Sequence, residues 1–288
     1  MTLLFALIRA LHFASLTTVF GASALLAQSD RIGVTGERLR RTLTLAAFAA
    51  LASAILNLCF VTAEMTGDSA LGFNPSAVAT VVTSSSYGHV FFIRLLLLIG
   101  LALLCLGGGR HVLKAVLAGA ALALLGLTSH AAAAGAPGYE SLRAAIDALH
   151  LLAAGFWIGG LAVLVPELLP RIRDTARLVS LLQMFSRFGV VSVAVLIAAG
   201  TANAVFILDM PGMRWSTAYA TWLAVKIVLA GVMVALALTN RFGVLPALAR
   251  GDAEARDTIP LTVLAEFGAA LLILLIVGFL GLTAPMQM

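Results

Sequence analysis

Apolar blocks of about 20 residues follow one another along this chain from end to end, and nothing else in the sequence limits its fold as tightly. In lipid every backbone N–H and C=O must find a partner within its own segment, so such blocks cross a bilayer as helices. Of 288 residues, 61% are hydrophobic and 11% charged, where a soluble domain of this size carries about 25% charged residues. The chain therefore reads as an all-α, polytopic transmembrane bundle in contact with the lipid bilayer. Eight spans are expected, at about 3–27, 42–63, 88–106, 112–134, 141–165, 182–207, 219–240 and 261–283. Between the second and third, Asn74-Pro75 has the form of a cap followed by a first-turn proline, opening a short helix through Val82. The first block lacks a basic leader and a small-residue cleavage site and is read as a retained helix.

Charge sidedness orients the bundle. Alternate loops hold Arg31, Arg38, Arg40 and Arg41, then Arg110 and Lys114, then Arg171, Arg173, Arg177 and Arg187, then Arg241, Arg250 and Arg256. Those loops face inward, which puts both termini outside. The arginines form no continuous stripe, so nucleic acid is not an expected partner. Cys59 and Cys105 fall toward opposite ends of neighbouring spans, too far apart for a disulfide, and read as packing residues.

The second half repeats the first in outline. Arg9-Ala-Leu-His12 with Gly21 matches Asp147-Ala-Leu-His150 with Gly159. Arg41 and Asn57 match Arg187 and Asn203, Glu64-Met65 matches Asp209-Met210, and Tyr87 with Arg94 matches Tyr219 with Lys226. Gly126-Leu-Thr128 matches Gly281-Leu-Thr283. The expectation is a parallel 4+4 internal repeat, residues 1–138 and 139–288, within one integral membrane domain.

At 1.5 Å per residue, His12 and His150 lie roughly 13 Å below the outer surface, and Arg94, Asp147 and Lys226 roughly 10 Å below it. His89 and His130 lie near the outer ends of their spans, and Met65, Met210, Met213, Met286 and Met288 collect on the same side. Imidazole and thioether donors suit Cu(I) better than hard cations. The candidate metal ligands are His12, His130, His150, Met65 and His89. His12 and His150 read equally well as interhelical hydrogen-bonding groups, and His89 as a helix cap. Arg94, Asp147 and Lys226 are expected to form one buried polar network, and Arg241 to pair with Glu266 at the inner side. Two histidines at equal depth on separate spans also allow non-covalent haem b, as in a membrane electron carrier. No nucleophile–base pair, metalloprotease helix or phosphate-binding glycine loop is present, so no enzyme is expected.

The set His150 with Trp157-Ile-Gly-Gly160-Leu161, Thr128-Ser-His130-Ala, and Arg187-Phe-Gly, Gly200-Thr-Ala-Asn203, Tyr219, Lys226, Asn240-Arg241, Pro246 and Glu266 resembles the CopD family of bacterial copper resistance membrane proteins. The resemblance runs over essentially the whole length, with a CopD-like block at about 181–285. It implies the inner (cytoplasmic) membrane, eight helices with periplasmic termini, and movement of copper from periplasm toward cytoplasm. It also implies a separate periplasmic CopC-like copper-binding partner.

Overall fold

The computed structural model describes residues 2–28, 37–128, 138–168, 175–208 and 218–283. Among them there is no strand. The long helices are α1 (Thr2–Leu26), α2 (Glu37–Thr66), α4 (Ser86–Leu106), α5 (His111–Gly126), α6 (Glu140–Leu168), α7 (Thr175–Leu208), α8 (Ala218–Thr239) and α10 (Ala253–Leu280). Two short helices, α3 (Pro75–Ser84) and α9 (Leu245–Ala249), join them. Among the described residues seven helices are long and apolar enough to cross a membrane, so this is a multi-span membrane protein. The 16 residues of α5 are apolar, but at 1.5 Å each they reach about 24 Å, short of the hydrocarbon thickness.

Local chemistry sets the boundaries. The Asn74 side chain accepts from the N–H groups of Ser76 (3.0 Å) and Ala77 (3.3 Å), and Pro75 occupies the first helical position, so α3 begins where expected. Asp252 caps α10 in the same way, accepting from Glu254 and Ala255. Between α8 and α9 the chain makes one π-helical turn, Asn240–Val244.

α1 and α6 lie at the centre and pack on each other. They meet backbone to backbone at Gly21 and Gly159. A Cβ added at Gly21 would lie 2.8 Å from the Gly159 Cα and one added at Gly159 would lie 2.6 Å from the Gly21 Cα, so neither position has room for a side chain. α5 and α10 each contact both central helices. α2 and α4 pack outside α1 and α5, α7 packs on α6, and α8 packs on α10. In α6, 50% of the apolar window is buried and in α1 and α10 44%, against 11% in the windows of α7 and α8, which therefore form outer walls.

Candidate functional site

Two polar clusters lie toward the end of the bundle opposite the arginine-rich loops. In the first, His12 is buried at 2% exposure between α1, α2 and α4. Its Nδ1 meets the Ala50 carbonyl at 3.0 Å and the Ser53 hydroxyl at 3.1 Å, while its Nε2 lies 2.7 Å from Nη2 of Arg94. A guanidinium only donates, so Nε2 is the acceptor and Nδ1–H donates to Ala50. The Ser53 hydroxyl donates to the Ala49 carbonyl at 2.6 Å, leaving its lone pairs toward His12. Arg9 and Tyr87 are the charged and titratable neighbours of Arg94.

In the second cluster, His150 of α6 is turned onto α7. A Cβ at Gly200 would come 3.1 Å from its Cε1 and 3.2 Å from its Nδ1, so glycine is what admits the ring. Nδ1 is buried, and among the described residues no hydrogen bond in good geometry reaches it. The Leu196 carbonyl is the backbone acceptor that faces the ring. Asp147, one turn earlier, accepts from Asn203 Nδ2 at 2.9 Å. Lys226 of α8 faces Asp147 and His150, and Tyr219 faces Asp147. His12 and Arg94 are fully buried, whereas His150, Asp147 and Lys226 are half-buried.

This geometry revises three expectations. Arg94, Asp147 and Lys226 do not form one network: Arg94 is bonded to His12 on one side of the molecule, and Asp147 and Lys226 face each other on the other. The tightly packed α1–α6 pair divides the two groups. His12 and His150 turn away from that central pair toward separate helices, so they do not share one ion, and a haem held between them has no support here. Both His12 nitrogens are already engaged, which takes His12 out of the expected ligand set in this arrangement. Third, Arg241 does not pair with Glu266. Its Nη1 donates to the Ser186 carbonyl (2.9 Å) and hydroxyl (2.7 Å). Glu266 instead accepts from Asn240 Nδ2 at 2.6 Å and from Trp157 Nε1 at 3.4 Å, with the Thr262 hydroxyl donating to Asn240 Oδ1 at 2.6 Å. Asn240 and Arg241, the first two residues of the π turn, thus point to different partners, Asn240 to Glu266 and Arg241 to Ser186.

Of the remaining expected ligands, His89 is exposed and its Nε2 donates to the Thr83 carbonyl at 3.0 Å, tying the start of α4 to the end of α3 as a cap. Met65 is 54% exposed near the end of α2. His130, Met210, Met213, Met286 and Met288 lie outside the described residues. Among the described residues no three His, Cys, Asp or Glu side chains are placed to hold a metal ion. Sequence reasoning did not single out Ser53, Ser186 or Thr262. One signal was available for Trp157, since a buried indole N–H usually needs an acceptor.

Residues 1–139 match the family described as copper resistance protein D-like, N-terminal domain, and residues 179–280 match copper resistance protein D. Copper resistance protein D of Pseudomonas syringae pv. tomato is 33% identical over 222 residues, 71% of each chain. The chain belongs to the copper resistance protein D family. Inner membrane protein YebZ of Escherichia coli (strain K12) is 29% identical over 139 residues, 48% of each chain. No solved structure matches this CopD-family chain. The matched segments carry His12 and Arg94 in the first and Asn203, Lys226, Asn240 and Glu266 in the second, while Asp147 and His150 fall between them.

Proposed function

We propose that this chain handles copper in the inner membrane, passing the ion from the outer toward the inner side without performing enzymatic chemistry. Family membership supports copper as the substrate. The observation that carries the site is the His150 imidazole, held against Gly200 with an open Nδ1. Neutral imidazole is a good copper ligand, and Cu(I) is the state that accepts it together with thioether. In the favoured reading His150 is the intramembrane donor, with Met65 and His130 as donors nearer the surface, and a separate CopC-like protein delivers the ion. His12 is the structural counterpart, closed by Arg94.

The proposed architecture is eight spans in a parallel 4+4 arrangement with periplasmic termini, the fourth crossing being the apolar segment of about 112–134 that α5 begins. The crossings support it. Gly21 and Gly159, counterparts in the repeat, touch each other, as residues on a two-fold axis must. A Cβ at Gly126 would strike Ala144 and Ala148, and one at Gly278 would strike Ala6 and Ala10. Those alanines are related by the same spacing as His12 to His150. The α5 counterpart is then Gly278, one turn before the Gly281 expected from sequence.

The test is copper loading of purified protein and copper accumulation by cells for His150→Ala and His12→Ala. His150→Ala is expected to reduce both at least tenfold, the scale for losing an imidazole ligand or its support. His12→Ala is expected to lower stability while leaving copper affinity in the folded fraction close to wild type. Wild-type affinity in His150→Ala removes this residue from the pathway.

A further inference from the structure

Arg241, released from the pairing expected with Glu266, lines a cavity of about 300 Å³ between α7 and the π turn, together with Arg187, Gln183, Ser186, Phe242 and Leu245. A second lobe of about 510 Å³ adjoins it, sharing Gln183 and Arg187 and adding Met184 and Phe188. Both lobes lie at the end of the bundle where the arginine-rich loops emerge. We propose that this groove binds the headgroup of an anionic phospholipid, and the proposal does not depend on the copper reading.

Three features converge on that ligand. Two guanidiniums share the groove, and among the described residues neither makes an ion pair. Glu266, the carboxylate expected from the sequence to pair with Arg241, is committed to Asn240 and Trp157. The Arg241 guanidinium is held in place: Nη1 is fixed by Ser186, and the group lies 5.6 Å from the Phe242 ring centroid. Among the described residues no hydrogen bond occupies its Nε or Nη2, so an edge suited to two oxygens of one phosphate is left. The wall beside the charges is apolar: Phe242, 70% exposed, and Leu245 in one lobe, Met184 and Phe188 in the other. A water-soluble anion has no use for that wall, whereas acyl chains do. Basic pockets between transmembrane helices at the headgroup level are a known form of lipid recognition.

The experiment is native mass spectrometry of the detergent-purified full chain titrated with phosphatidylglycerol, with phosphatidylcholine as the zwitterionic comparison and inorganic phosphate as competitor. Wild type is expected to retain phosphatidylglycerol over phosphatidylcholine. Arg187→Gln, an exposed position with no hydrogen bond or ion pair among the described residues, is expected to weaken phosphatidylglycerol about fivefold without changing phosphatidylcholine. The double variant with Arg241→Gln weakens it further. Equal retention of the two lipids, an unchanged Arg187→Gln, or displacement of phosphatidylglycerol by equimolar inorganic phosphate would each overturn the proposal.

Discussion

A histidine buried in a helical bundle is defined by what its two nitrogens meet. His12 and His150 occupy equivalent places in the proposed repeat, yet one has both nitrogens engaged and the other, among the described residues, has Nδ1 without a hydrogen bond. Ala50, which receives the His12 proton, and Leu196, which faces His150, stand at the same separation as Asn57 and Asn203. The backbone environments therefore correspond, and the difference lies in the third residue: an arginine reaches the first imidazole, and a lysine faces the second. Removing that arginine has a defined cost. Arg94→Ala leaves the His12 acceptor buried and unpaired, and is expected to destabilise the protein by about 1–3 kcal/mol, read from denaturant or thermal unfolding in detergent. Arg94→Lys is expected to recover part of this through a single donor. Stability equal to wild type in Arg94→Ala would mean that the contact with His12 does not hold the helices together.

The helices themselves are set by length and composition, but their spacing is set by glycine. α1 and α6 come close enough for main-chain contact because Gly21 and Gly159 face each other without side chains. Gly159→Leu puts four carbons where the Thr17 carbonyl and the Gly21 Cα now sit, and no rotamer avoids backbone. The expected outcome is loss of the α1–α6 contact, with destabilisation beyond the roughly 1–3 kcal/mol typical of core overpacking, seen as failure to recover monodisperse protein on size-exclusion chromatography. Gly189→Leu, at a position with open space around it, is the matched control expected to behave like wild type. The π turn at Asn240–Val244 works at the same scale. At its start two adjacent side chains part, Asn240 to Glu266 and Arg241 to Ser186 and the groove on α7.

For the molecule as a whole the central prediction is sidedness. With Cys59 and Cys105 replaced, a single cysteine at Glu254 is expected to react with a membrane-impermeant maleimide only after the membrane is opened, and one at Ser69 to react in intact cells. The opposite labelling pattern would invert the bundle. Much of this architecture is legible in the residues themselves. Helix positions, the Asn74 cap and the membrane class follow from local rules: apolar length, capping chemistry and the absence of helix breakers act on neighbours in the chain. The matching spacing of His12 with Gly21 and of His150 with Gly159 is visible in the sequence too. Which way each imidazole turns is not local. It depends on which helix lies beside it and on whether an arginine from α4 or a lysine from α8 arrives there, and both are fixed only when the helices pack. The same holds for Glu266, whose partner is Asn240 and not the adjacent Arg241 because of how the last helix lies against the one before it. Composition and periodicity dictated a helical membrane protein with a doubled polar pattern. Packing alone, by choosing which side chains from neighbouring helices meet each imidazole, divided that pattern into a closed cluster and an open one.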